Sequence, residues 1–186
     1  MTPTVAPSLA ELTGTYTIDT AHSRIGFVAR YAMATKVRGA FNDVEGTAEL
    51  DGSDPSRSTA KVTISAASID TRNAQRDAHL RAADFLDVET YPTITFVSTG
   101  VRQDGEVFEL TGDLTVKDVT RPVAIPFTFD GLATDPFGNV RAGFEGSLTV
   151  SRKDFGLTWN AALETGGVLV GDKVVLELEI SAIRNA

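Results

Sequence analysis

The chain has 186 residues, of which 42% are hydrophobic and 23% charged, a composition typical of one soluble globular domain. Its formal net charge of −8 argues against nucleic acid as a partner, and the absence of cysteine excludes disulfides and cysteine-ligated metal sites. No apolar stretch approaches the roughly 20 residues of a transmembrane helix, so we expect no transmembrane segment.

The N-terminal residues 1–13 predict a tail that contains one helical turn over Leu9–Leu12. Ser8 and Glu11 have the spacing of a capping box around this turn. Residues 14–186 predict a single β-barrel domain. The chain begins without the basic start and apolar run of a signal peptide, so we expect a cytoplasmic protein, with a periplasmic or secreted location as the alternative.

Alternation of apolar and polar residues dominates the chain from there on. In RIGFVARY, the segment 24–31, one face carries Ile25, Phe27, Ala29 and Tyr31, which is the period of a half-buried strand. The same alternation recurs within six further segments: 62–64, 94–96, 108–116, 123–129, 140–150 and 174–180. Many alternating strands separated by turn residues predict an all-β protein with an antiparallel sheet, closed or sandwiched.

One segment, 70–87, breaks this alternation. It is rich in Ala, Arg, Gln and Leu, which predicts a short helix from about Asn73 to Ala83 between two strands. We expect the segment to cover one side or end of a barrel, with Leu80, Phe85 and Leu86 turned inward because they are its strongest apolar anchors.

Recognisable catalytic chemistry is absent from the sequence. It has no nucleophile elbow, phosphate-binding loop, dinucleotide fingerprint or zinc-protease motif. His22 and His79 are far apart in sequence, and each lacks a second histidine beside it. We therefore predict no catalytic residue, no metal ligand and no cofactor.

Aromatic residues of the inward phase indicate a ligand site instead. We predict ten residues in contact with a ligand: Phe27, Ala29, Tyr31, Phe41, Phe85, Phe96, Leu114, Phe127, Phe144 and Trp159. Small residues (Ala29, Gly39, Gly112 and Gly146) fall in register with the aromatic ones. They either leave room for a ligand or relieve crowding at bends, and Trp159 either stacks on a ligand or plugs the barrel.

Four sequence stretches together resemble the YceI-like family: YTIDTAHSRIGFVARY, SIDTRNAQRDAHLRAADFLDVETYPTITFVST, GDLTVKDVTRPV and SRKDFGL. The resemblance runs from about Tyr16 to Ile183. It implies an extended, lipocalin-like, eight-stranded antiparallel barrel with a helical insert, a long apolar pocket that binds polyisoprenoids such as quinones or prenyl phosphates, and frequent dimers. The chain departs from many relatives at Tyr31, where they have His.

The expected function is that of a carrier or store of a polyisoprenoid or similar long apolar lipid, and a homodimer is a further expectation. Arg30 and Arg38 are out of phase with the inward set, and Arg81 lies on the helix, so little positive charge is expected inside the barrel. We therefore expect the ligand to have a neutral, quinone-like head, with hydrogen bonds from Tyr31 and Trp159. Two alternatives remain: an interaction module with a packed barrel and an exposed apolar patch, and an enzyme with titratable groups converging in the pocket.

Overall fold

Residues 9–186, which this computed structural model describes, contain eleven β-strand segments and one α-helix. The segments are β1 (Gly14–Ile18), β2 (Arg24–Tyr31), β3 (Thr35–Phe41), β4 (Val44–Leu50), β5 (Thr59–Ser65), β6 (Ile69–Asp70), α1 (Ala74–Arg81), β7 (Thr93–Asp104), β8 (Val107–Val116), β9 (Val119–Thr134), β10 (Val140–Ser151) and β11 (Val170–Arg184). Short 3-10 turns lie at Leu9–Leu12, Thr20–His22, Pro55–Arg57, Ala66–Ser68 and Arg152–Phe155.

These segments form eight antiparallel strands because three strands are each interrupted once. β1 and β2 both pair with the same edge of β11 and are separated by the turn at Thr20–His22. β3 and β4 are likewise two parts of one bent strand, as are β5 and β6. The order β1-β4-β5-β7-β8-β9-β10-β11 closes through pairing of β1 with β11. The predicted eight-stranded antiparallel barrel is confirmed.

The helix lies where the break in alternation predicts it. The Asn73 side chain caps its start by accepting a hydrogen bond from the Arg76 backbone N–H at 2.9 Å. Arg81 donates from Nε to the Ala67 carbonyl at 2.8 Å and from a terminal nitrogen to the Ile69 carbonyl at 2.9 Å, which ties the helix to the barrel. Phe85 and Leu86 are buried, as predicted.

At the opposite end, the 3-10 turn Leu9–Leu12 packs against the barrel. Leu12 is buried beside Tyr16, whose hydroxyl donates to the Leu12 carbonyl at 2.8 Å. A Cβ at Gly52 would lie 1.5 Å from the Leu9 carbonyl oxygen, so only glycine permits this approach. Residues 1–8, the remainder of the predicted tail including Ser8, lie outside the described residues.

Candidate ligand cavity

The barrel contains a cavity of about 390 Å³. This volume lies within the range of small-molecule sites in proteins, about 300–1,000 Å³. The wall consists of inward-facing side chains from the strands, with the turn Leu9–Leu12 lining one end and the region around Phe85 and Phe155 the other. Almost all the lining side chains are aliphatic or aromatic, so the cavity offers an apolar environment.

Eight of the ten residues predicted to contact a ligand line this cavity. They are Phe27, Ala29, Phe41, Phe85, Phe96, Leu114, Phe127 and Phe144. Seven lie on strands, where period-2 alternation turns every second side chain inward, and Phe85 follows the helix. Their location inside the barrel matches the prediction, and their contact with a ligand stays a prediction.

Three glycines lie beneath phenylalanine rings of this wall. A Cβ at Gly39 would lie 2.4 Å from the Phe27 ring, and one at Gly146 would lie 2.7 Å from the Phe127 ring. Gly112 has the same relation to Phe96, at 2.4 Å. The glycines therefore make room for rings that lie along the wall, which favours relief of crowding over an empty space for ligand.

Tyr31 requires a correction. It shares the phase of Phe27 and Ala29, yet its side chain is 44% exposed and does not line the cavity. The reason is its position as the last residue of β2, where it pairs with Val170 and Thr35 beside the hairpin tip. Alternation predicts the face of a strand but not how far the strand continues past the cavity.

Trp159 also lies outside the cavity lining. Its ring packs edge-on against His79 at 4.7 Å between centroids and tilted against Phe85 at 5.3 Å. His79 Nε2 is 2.8 Å from the Asp84 carboxylate. Trp159 therefore plugs the barrel end behind Phe85, so the plug alternative agrees with the structure and ligand stacking does not.

Arg152 is the cavity residue that the sequence reasoning missed. Its side chain is only 4% exposed and lines the cavity at the end of β10. Its Nε donates to the Gly171 carbonyl, one terminal nitrogen to the carbonyls of Leu157 and Trp159, and the other to that of Val170. A usable signal existed, since Arg152 is two residues beyond Val150 and shares its inward phase.

The charge of Arg152 is only partly compensated. Burial lowers the pKa of its guanidinium, while the Asp172 carboxylate at 3.6 Å raises it. Because four of its five N–H donors are used by backbone carbonyls, Arg152 fastens the segment 157–171 to the barrel and has little hydrogen-bonding capacity left for a ligand.

The opposite end holds the other polar lining groups, chiefly Asp51 and Ser58. The Asp51 carboxylate accepts from the backbone N–H groups of Ser53 and Asp54, at 3.0 and 2.9 Å. Ser58 is buried, and its Oγ accepts from the Asp51 N–H at 3.0 Å. Asp51 and Arg152 are the charged side chains among the lining residues, and they lie at different ends.

Two further observations cover the described chain. Between residues 9 and 186, no three His, Asp or Glu side chains come together in an arrangement suited to a metal ion. No helix in this same range has the length and hydropathy required to cross a bilayer.

The sequence is similar to that of known proteins. Residues 16–182 match the model of the YceI-like domain. A UPF0312 protein of Pseudomonas aeruginosa strain LESB58 is 45% identical over 136 residues, 73% of this chain and 71% of that protein. A UPF0312 protein of Pectobacterium atrosepticum is 42% identical over 137 residues, 74% of this chain and 71% of that protein.

Solved structures share the barrel. Burkholderia cenocepacia BcnA superposes with a TM-score of 0.78 at 25% identity and covers 88% of this chain and 98% of its own. A polyisoprenoid-binding domain from Saccharophagus degradans superposes with a TM-score of 0.70, covering 91% of this chain and 98% of its own. The latter is 15% identical, so its likeness shows the fold alone.

Proposed function

This chain belongs to the YceI-like domain family, and on that premise we propose that its barrel binds a polyisoprenoid or similar long apolar lipid as a carrier or store. The observation that carries the proposal is the apolar cavity of about 390 Å³ inside the barrel. Burial of hydrocarbon in such a cavity is favourable by about 25 cal/mol per Å², which is the main source of affinity available there. The Saccharophagus domain gives a precedent for the same fold.

The cavity separates this proposal from its two alternatives. A packed barrel that acts only as an interaction module requires an interior without a cavity, whereas this barrel encloses one. An enzyme requires titratable groups that converge on a bound molecule, whereas the charged lining groups, Asp51 and Arg152, lie at opposite ends and are hydrogen-bonded within the protein. Binding without catalysis is the better-supported function.

Within this function we favour a neutral, quinone-like head. A diphosphate head needs free cationic donors, but the Arg152 guanidinium is used by backbone carbonyls. Arg38 lies exposed on the outer surface, and Arg81 is bonded to backbone carbonyls. At the other end, the Asp51 carboxylate repels an anionic head.

Ser58 replaces Tyr31 and Trp159 as the candidate donor to the head. Its Oγ is buried at the cavity wall and already accepts one hydrogen bond, which leaves its hydroxyl hydrogen to donate to a quinone carbonyl. Loss of one such hydrogen bond costs about 1 kcal/mol, or roughly fivefold in affinity. Ser58→Ala should show this loss for a quinone, while Ser147→Ala on the outer face of β10 should not.

Competition between two ligands tests the proposal. A long-chain isoprenoid quinone and a prenyl diphosphate of equal chain length are offered together at two ammonium acetate concentrations, and complexes are counted by native mass spectrometry. We expect the quinone complex to predominate at both concentrations. Tighter, salt-sensitive binding of the diphosphate would overturn the neutral head, and binding of neither molecule would overturn the function.

A further inference from the structure

The β2–β3 hairpin differs in charge from the rest of the molecule. Residues 24–41 carry four basic side chains and no acidic one, in a chain whose net charge is −8. All four are exposed: Arg24, Arg30, Lys36 and Arg38. The hairpin is therefore a positive surface on an acidic protein.

The two basic residues nearest the hairpin tip oppose each other. Arg30 and Lys36 are direct cross-strand partners, and within residues 9–186 neither forms an ion pair with a carboxylate. Like charges directly opposite destabilise an antiparallel pair, so this pair favours an external anion. Farther from the tip, Arg24 and Arg38 both approach Glu177, at 3.7 Å each.

The tip itself is apolar and exposed. Met33 is 64% exposed and Tyr31 is 44% exposed. Ala32 and Met33 both have left-handed backbone, with φ of 51° and 64°, a conformation that turns usually assign to Gly, Asn or Asp. Ala32 and Met33 are unfavourable residues for this turn, and Met33 exposes apolar surface to water. Both costs are explained if the tip contacts something outside the chain.

A neighbouring loop extends this apolar surface. Met33 packs against Gly167, where an added Cβ would lie 3.1 Å from the Met33 sulfur, and exposed Val168 follows. Ala32 donates to the Leu169 carbonyl at 2.7 Å. The charged groups of the same loop and the start of β11 are Glu164, Asp172 and Lys173, of which Asp172 is engaged by Arg152 and Lys153.

We infer that this surface, the basic hairpin with its apolar tip, docks the barrel on an anionic lipid bilayer. Arg30 and Lys36 lie one strand residue, about 3.4 Å, before the last strand pair, Tyr31 with Thr35, and Met33 lies beyond that pair in the turn. Interfacial segments bury their apolar side about 5–10 Å deep, which places the two basic groups at the level of the lipid phosphates. Tyrosine is enriched at membrane–water interfaces, and Tyr31 lies next to the tip of this hairpin.

The docking surface adjoins the cavity wall. Tyr31 follows Ala29 in phase and pairs with Val170, and both Ala29 and Val170 line the cavity. Docking therefore brings the wall of the proposed lipid site to the membrane. The inference extends the proposed function but is tested without any isoprenoid, so the two can fail separately.

Sedimentation with extruded vesicles provides the test. The full chain is mixed with vesicles of phosphatidylcholine alone or of phosphatidylcholine and phosphatidylglycerol in equal parts. We expect binding to the anionic vesicles that weakens as salt is raised, and little binding to the neutral ones. Each basic residue near an anionic surface contributes about fivefold, so Arg30→Gln with Lys36→Gln should weaken binding about 25-fold.

The chain offers a matched control for the tip. Phe137, at the β9–β10 turn, is 86% exposed but lies beside the carboxylate of Asp135. Met33→Asp should abolish vesicle binding, Phe137→Asp should leave it unchanged, and both variants should retain the wild-type circular dichroism. Failure of the wild type to sediment with anionic vesicles, or equal binding by Met33→Asp, would overturn the inference.

Discussion

The wall of the cavity and the segments that close its ends are built differently. The wall repeats one simple arrangement, in which apolar side chains from paired strands face inward and three phenylalanine rings lie on glycines. The end near α1 depends on particular contacts: the stack of His79, Phe85 and Trp159, and the buried guanidinium of Arg152. A change in the wall should alter the cavity, whereas a change at this end should alter the stability of the whole barrel.

Removal of the Arg152 guanidinium should have the largest effect. Arg152→Met leaves four backbone carbonyls without this donor, and each buried carbonyl left unpaired costs about 1–3 kcal/mol. Urea unfolding measures the loss. Lys153→Met is the matched control, because Lys153 is exposed and its pair with Asp172 is worth at most about 1 kcal/mol. Equal effects of the two would show that Arg152 does not hold this end.

Truncation of Phe85 should come next. Phe85 is buried between the cavity and the Trp159 ring, and Phe→Ala substitutions in cores cost about 3–5 kcal/mol. The fluorescence of Trp159, the only tryptophan, should also change in the folded variant. Phe137→Ala, at an exposed site, should cost less than about 0.5 kcal/mol. A loss below about 1 kcal/mol for Phe85→Ala would show that this ring does not close the barrel.

A methyl group beneath a wall ring should have a smaller effect on stability and a specific effect on the cavity. In Gly146→Ala the new Cβ must displace the Phe127 ring, and such overpacking costs about 1–3 kcal/mol. The displaced ring should also reduce lipid binding. Gly143→Ala on the same strand meets its nearest atom at 3.6 Å and serves as control. If both variants bind lipid like the wild type, the glycines do not shape the wall.

The smallest effect should come from an ion-pair network on the outer surface. Arg141 lies between the carboxylates of Asp19 and Asp135. Its hydrogen bond lowers the pKa of Asp19 below the ordinary 3.8. Burial alone would raise the pKa of Asp135, but hydrogen bonds from Arg141, Asn139 and the Phe137 amide outweigh it and lower this pKa as well.

The sign of the pH dependence follows from these two pKa values. Both carboxyls bind protons less readily in the folded protein than in the unfolded chain. Their contribution to the stability of the fold is therefore complete above the pKa of the unfolded chain, about 4, and is lost as the pH falls below that value. The difference in unfolding free energy between wild type and Arg141→Met should therefore shrink from pH 6 to pH 2. A difference that stays constant over this range would contradict the network.

Most of the wall could be predicted from the sequence because strand alternation is a local property. Phe27, Ala29 and Phe96 face inward as their spacing predicts. The helix could be predicted as well, since its composition differs from that of the strands around it and Asn73 caps it.

The ends could not be predicted, because they depend on contacts between residues distant in sequence. Tyr31 has the spacing of an inward-facing residue but lies beyond the end of the cavity. The Trp159 ring contacts His79, which is 80 residues away in sequence. Arg152 finds its acceptors in a segment without regular alternation. Charged residues are usually assigned to the surface, which is why a buried arginine escapes a pattern based on hydropathy.

Native mass spectrometry of Ala29→Trp tests the central claim most directly. Ala29 lines the cavity, so an indole at this position fills space that the proposed lipid needs, while Thr149→Trp places the same group on the exposed face of β10. After incubation with a long-chain isoprenoid quinone, wild type and Thr149→Trp should each carry one bound lipid, and folded Ala29→Trp should carry none. Equal lipid uptake by all three proteins would show that the lipid does not occupy the cavity.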